Sequence, residues 1–219
     1  MCAVRWYLRY SLSYRDVRDL LAERGVSLDH STVWRWVQRF APELNSRVRP
    51  HLKPTNLSWR VDETYVKVQG SWCYLYRAID SSGATIDFRL SSLRDLDAAK
   101  SLFRMALRHD AHRQPRVINT DLAPTYSSAI AALKHCGVIR RRCLHRPVQY
   151  LNNIIEQDHR FIKKRINAKQ GFRALAAADR TIRGYEAMHM MRKGQVRWLP
   201  GDDVLAQIRF VHRLFGLAA

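Results

Sequence analysis

The stretch "WRVDETYVKVQGSWCYLYRAIDSSGATIDFRLS", residues 59–91, decides the fold. Three runs rich in β-branched and aromatic residues, Trp59 to Val68, Trp72 to Ile79 and Thr85 to Leu90, are separated by Gln69-Gly70-Ser71 and Ser81-Ser82-Gly83. Such runs bounded by glycine-containing turns predict three consecutive antiparallel strands. Downstream, the pattern predicts a helix over Asp97 to Arg108, a strand over Arg116 to Asp121 and a helix over Pro124 to His135. A strand over Gly137 to Leu144 and a long helix beginning near Asn152 complete the series. The order βββαβαβα implies an α/β domain with a mixed sheet flanked by helices.

That element order is shared by ribonuclease-H-like domains. Upstream, "SYRDVRDLLAERGVSLDHSTVWRWVQRF" predicts one amphipathic helix (Tyr14, Val17, Leu20, Leu21), a break at Gly25 and a second helix capped by Ser31. This is a helix-turn-helix outline. Its second helix is expected to bury Val33, Trp36, Val37 and Phe40 and to present Thr32, Arg35, Gln38 and Arg39 to phosphates and base edges. A plain antiparallel helix pair with a solvated basic face carries the same pattern. The prolines of "APELNSRVRPHLKPTNLS" mark an expected linker. The expected organisation is therefore a helical domain over 1–41, a linker over 42–58, a catalytic domain over 59–193 and a helical tail over 194–219, with its final helix over about Asp203 to Phe215.

Charge narrows the function. The 219 residues carry 38 Lys and Arg against 19 Asp and Glu, a net +19, on an ordinary 47% apolar composition. A folded chain with that imbalance is expected to meet a polyanion, and nucleic acid suits it better than a membrane surface. No apolar run reaches the roughly 20 residues that span a bilayer, and Met1 to Tyr10 lacks the order of a signal peptide. The expected location is the cytoplasm, with the protein on the nucleoid when bound to DNA. Cys2, Cys73, Cys136 and Cys143 are too few and scattered for a disulfide framework. His135, Cys136, Cys143 and His145 lack the close Cys-x-x-Cys pairing of a zinc site, so these thiols are read as buried or incidental.

Acidic residues stand out against this background. Strand alternation sends Asp62 and Glu63 to opposite faces. Asp62 shares its face with Thr64, Val66 and Val68, where an unpaired carboxylate is costly, whereas Glu63 is expected to pair with Lys67 or water. Asp121 ends the apolar strand "RVINT", at the sheet edge where α/β sites gather, although a turn aspartate reads the same. Glu156 lies one turn into "NNIIEQDHRFIKKRI", on a polar stripe with Arg160, Lys163 and Asn167; alone, it would read as an i,i+4 ion pair. Between Arg140 and Arg165 eight Lys or Arg face only Glu156 and Asp158, a surface suited to a phosphate backbone.

These segments together resemble the DDE transposases of bacterial insertion sequences, within them insertion sequence 6 and its relatives, including insertion sequence 26. The resemblance rests on "VRWYLRYSLSYRDVRDLLAERGVSLDHSTVWRWVQRFAPEL", residues 59–91, "INTD", "YLNNIIEQDHRFIKKRI" and "TIRGYEAMHMMRKGQ". It implies that Asp62, Asp121 and Glu156 are the catalytic acids, the last two 35 positions apart, and that they hold two Mg²⁺ ions, with Mn²⁺ a substitute. It further implies that Lys163 lies against transposon-end DNA; Arg160 and Lys164 are assigned to the backbone beside it. The expected reaction is hydrolysis of one strand at each element end, then attack of the freed 3′-hydroxyl on target DNA, with replicative fusion as the outcome. Expected partners are double-stranded DNA, both terminal inverted repeats and target, and a second copy of the chain, because both ends must be held together. Relatives usually carry a further N-terminal segment before "VRWY", so the resemblance implies either a shortened copy or a misassigned start. A DNA-binding regulator with silent acids, and a nuclease that cuts without joining, are the competing functions.

Overall fold

The computed structural model describes residues 1–108, 114–148, 152–167 and 172–218. They form two compact units, Met1–Lys53 with Lys164–Ala219, and Pro54–Lys163.

The second unit is built on a five-stranded sheet. Its strands are β1 (Ser58–Val68), β2 (Ser71–Asp80), β3 (Thr85–Ser91), β4 (Val117–Thr120) and β5 (Leu144–Pro147), in the spatial order β3-β2-β1-β4-β5. The first three pair antiparallel; β4 runs parallel to β1, and β5 parallel to β4. This is the mixed sheet the element order predicts, with the ribonuclease-H-like arrangement of three antiparallel strands extended by two parallel ones. Helices α4 (Leu96–Arg108) and α5 (Pro124–His135) supply the parallel crossovers. Their apolar stripes, including Leu102, Phe103, Ala129 and Leu133, bury Trp59, Val61, Tyr76, Ala78 and Ile118 in one core. A third helix, α6 (Asn153–Asn167), starts near its expected position, and the division between the units falls inside it after Lys163. Tyr150 and Leu151 of the sequence motif lie outside the described residues.

The last strand corrects the sequence reading, which placed it over Gly137 to Leu144. Gly137, at φ 72°, ends α5, with the Val138 amide returning to the Leu133 carbonyl. Ile139 fills the core, a turn closes from Cys143 N–H to the Arg140 carbonyl, and the strand begins only at Leu144. The apolar residues that suggested a strand are thus a buried helix cap.

In the first unit, α1 (Cys2–Arg9), α2 (Tyr14–Ala22) and α3 (His30–Val48) are joined by α7 (Leu175–Arg192) and α8 (Val204–Leu214) from the far end of the chain. Ser13 and Asp16 close a reciprocal capping box on α2. Asp29, rather than Ser31, caps α3, its carboxylate accepting from the Ser31 amide. The expected linker from residue 42 is helical for its first seven residues, since α3 continues to Val48 with Pro42 inside it. Pro42 forfeits one backbone hydrogen bond, but Ala41, Leu44 and Val48 on either side are fully buried, and that burial holds the helix together.

α3 and α7 approach closely at Gly184. A Cβ placed there would lie 2.6 Å from the Ala41 Cβ and 2.7 Å from the Leu8 methyls. Gly184→Ala should therefore destabilise the protein by about 1–3 kcal/mol despite alanine's better helix propensity, measured by urea unfolding. A stability unchanged or raised would place the helices farther apart than this.

Candidate active site

Asp62 lies in the middle of β1, and strand pairing brings its first partner alongside. β4 pairs with β1 as Ser58 with Val117 and Arg60 with Asn119, an offset of 59 residues. Carried two residues past the last pair, the same offset leads Asp62 toward Asp121, just past the end of β4. One Asp121 oxygen accepts the Ala123 amide at 3.1 Å, turning the chain into α5. The turn role and proximity to Asp62 therefore coexist in one residue.

Three contacts set α6 on the sheet around Asp62. The Asn152 amide, one residue ahead of the helix, donates to the Val61 carbonyl at 3.4 Å. Asp158 forms a 2.6 Å ion pair with Arg77, the fully buried cross-strand partner of Asp62. His159 Nδ1 stands 3.8 Å from an Asp62 oxygen. That distance is too long for a hydrogen bond. Burial and the charge of Arg77 push the His159 imidazole down to about 3, so it is neutral near pH 7 and gives Asp62 no ion pair. Glu156 sits one turn before His159, exposed, and Arg160 and Lys163 continue the exposed stripe along α6.

The electrostatics join the three acids. Burial pushes the Asp62 carboxyl up to about 7 from its usual 3.8, and the charges of Glu63, Asp121 and Glu156 push in the same direction. A hydrogen bond from the Glu63 backbone opposes them. Asp121 and Glu156, distant in sequence, thus both act on Asp62. Among the described residues no three His, Cys, Asp or Glu side chains are gathered into a finished metal cage. The donor set nevertheless fits a hard cation: carboxylate oxygens only, on a buried strand where negative charge accumulates.

Glu63 requires a correction. The alternation argument sent it to solvent with Lys67, yet its side chain is only 5% exposed. It accepts from Arg94 Nε at 2.6 Å and from the Tyr126 hydroxyl. The two faces do diverge at Asp62 and Glu63, but both are covered here, because α4 and α5 pack over the face of Trp59 and Val61. Those two apolar neighbours of Glu63 were the signal that its face is not a wet one. Glu63→Gln should cost about 1–2 kcal/mol by removing the charge that Arg94 and Tyr126 meet, read by thermal and urea unfolding. No loss would mean that the contact is incidental.

In the first unit Thr32, Arg35 and Arg39 sit on α3, with Arg35 and Arg39 exposed and Arg35 donating to the Thr32 hydroxyl at 3.0 Å. Gln38 does not join them. It is buried, and its amide donates to the Thr181 hydroxyl of α7 at 3.0 Å. Trp36 is exposed where burial was expected. The cause is α7, which covers the Val37, Gln38, Ala41 side of α3 and rotates the buried stripe away from Trp36. Lys164 is exposed, whereas the neighbouring Arg165 is buried and donates to the Leu8 carbonyl. Residues that sequence reasoning missed are Arg77 and Asp158, whose ion pair holds α6 on the sheet, and His159, which is buried near Asp62.

Known proteins resemble this chain in sequence over most of its length. Residues 56–195 match the family described as the DDE domain. The transposase for insertion sequence-like element IS431mec of Staphylococcus aureus is 41% identical over 197 residues, covering 90% of this chain and 85% of the relative. The transposase for insertion sequence element IS257 in transposon Tn4003, from the same species, has the same identity and coverage. Among solved structures, a chain of the simian T-cell lymphotropic virus intasome in complex with a PP2A regulatory subunit is 15% identical with a TM-score of 0.44, over 75% of this chain and 63% of that one. The HTLV-2 integrase catalytic core domain in complex with magnesium is 18% identical with a TM-score of 0.41, over 58% and 84%.

Proposed function

Since the chain belongs to the insertion sequence 6 family of DDE transposases, and is thereby a polynucleotidyl transferase, we propose that it cuts and joins DNA at the ends of its own element with Asp62, Asp121 and Glu156 as the catalytic acids. The observation that carries this is the parallel register of β1 and β4, which leads Asp62 toward Asp121, with α6 and its Glu156 pinned through Asp158 to Arg77, the cross-strand partner of Asp62.

Asp62, Asp121 and Glu156 would hold Mg²⁺, two ions with Mn²⁺ a substitute, through carboxylate oxygens. Bound there, the cation supplies charge compensation and Lewis acidity at a scissile phosphate. Asp62 is held for this by the strand beneath it, and Glu156 by the Asp158–Arg77 pair two residues later. Arg160, Lys163 and Lys164, exposed on α6, hold the DNA backbone next to the acids. Thr32, Arg35 and Arg39 of α3 contact the terminal inverted repeats, and the helical segments around α2 and α3 serve as the recognition domain. Gln38, being buried, takes no part.

In the reaction, water cleaves one phosphodiester at each element end and leaves a 3′-hydroxyl. That hydroxyl then attacks a target phosphodiester, so a new DNA–DNA bond replaces the one broken and no protein–DNA bond forms. Fusion of donor and target follows. Two ends joined in one event require at least two copies of the chain. No helix among the described residues is long and apolar enough to cross a membrane, and the net +19 suits association with the nucleoid.

The test uses purified protein, magnesium and labelled element ends with target DNA. Joined products are expected. Cutting without joining would make the chain a nuclease, and binding alone a regulator. In the same system Lys163→Gln should weaken binding alike for all sequences and lower the slope of log affinity against log salt by about 1.

A further inference from the structure

The hairpin of β1 and β2 runs past its neighbours in the sheet. The described pairing of β4 with β1 ends at Arg60, and that of β3 with β2 reaches no nearer the hairpin tip than Tyr74. Beyond those limits one face carries a set of exposed rings. Tyr65 is 49% exposed and Trp72 59%. Register pairs Tyr65 with Tyr74 and Lys67 with Trp72, so all four share that face. The Tyr65 and Trp72 rings meet edge to face at 6.1 Å, Tyr65 and Tyr74 lie 5.5 Å apart, and Lys67 Nζ stands 6.0 Å over the Trp72 ring. The opposite face, with Val66, Val68 and Cys73, is buried. The hairpin therefore has its core on one side and leaves its aromatic side open.

This surface lies on the face opposite Asp62 and approaches the site only at its edge, through Arg94. Glu63 lies two residues before Tyr65 on the same face, and Arg94, which binds Glu63, is influenced by the nearby Tyr65 and Asp121 as well. Open ring faces flanked by Lys67 and Arg94 match a strand whose bases are unstacked and whose phosphates are negative. In a paired duplex the bases keep their faces covered, so they do not fit the rings.

We infer that Tyr65, Trp72 and Tyr74, with Lys67, form a stacking platform for unpaired nucleotides flanking the cut at the element end. This rests on the DNA-joining function proposed above. It adds a reason for the enzyme to prefer frayed or single-stranded flanks, because bases lifted from the duplex gain ring contacts on the hairpin.

The test compares the full-length protein's affinity for a duplex element end with that for the same end carrying a short single-stranded flank, by fluorescence anisotropy. Wild type should prefer the flanked end. Trp72→Ala should lose roughly 5- to 100-fold on the flanked end while holding its affinity for the plain duplex, and Trp72→Phe should keep most of the preference. Tyr65→Ala should act in the same direction. Equal losses on both substrates, or none in either variant, overturn the platform while leaving DNA joining intact. So does a fall in oligomeric state by sedimentation with the flank preference unchanged, which would make the face a self-contact. Failure of the wild type to bind either DNA overturns the joining function, and the platform with it.

Discussion

Asp62→Asn should abolish strand joining, by at least about 10³-fold, while leaving the binding of element ends within about twofold of wild type. The same substitution should stabilise the metal-free protein. Burial and three acidic neighbours raise the Asp62 carboxyl to about 7 in the folded state, against 3.8 when unfolded. A raised acid folds best protonated: its contribution is intact below pH 4 and is lost as the pH climbs through 7. That loss is on the order of 4 kcal/mol for a shift of this size. Urea unfolding in the presence of a chelator should therefore show Asp62→Asn matching wild type near pH 4 and exceeding it at pH 8. Equal stability at pH 8 would mean that the Asp62 charge is neither buried nor crowded by its acidic neighbours. The pairing of lost activity with gained stability separates a charge-concentrating site from a residue that merely supports the strand.

Arg77→Met should cost about 3–5 kcal/mol, because it strands the Asp158 carboxylate, only 9% exposed, without the cation that meets it. The joint change Arg77→Met with Asp158→Leu should recover most of that loss, as buried ion pairs replaced by apolar side chains commonly do. Joining should not recover to the same extent. Asp158 lies two residues beyond Glu156 on α6, and the pair with Arg77 fixes where that helix meets the sheet. Urea unfolding and joining rates measured on the single and double variants check both parts. A single variant as stable as wild type would remove this pair from the account of how α6 is held.

The sheet was largely legible because strand signals are local. Residues 59–91 carry their alternation and turns within one stretch, and the observed β1, β2 and β3 differ from the reading by a residue at most at each end. What the local pattern did not carry was coverage. At Glu63 alternation alone predicts a wet face, while α4 and α5, reached through long crossovers, cover it. At Gln38 a helical wheel drawn on α3 alone missed α7, whose Thr181 is 143 residues away in sequence. At Gly137 to Cys143 an apolar run was a helix cap with a turn, a distinction set by one positive φ. The acids themselves were found by spacing and resemblance. Arg77, whose pair with Asp158 anchors α6, was hidden because a basic residue in a basic chain announces nothing until its buried partner is known.

Glu156 is the member of the three whose side chain is most exposed, and it makes the sharpest test of a shared site. The decisive measurement is the joining rate of Glu156→Gln with labelled element ends and magnesium, on protein shown to bind those ends as tightly as wild type. A single site formed by Asp62, Asp121 and Glu156 predicts no joined product above about a thousandth of the wild-type rate. Joining within about tenfold of wild type would contradict it, and would leave Glu156 as a surface residue paired along its helix with Arg160.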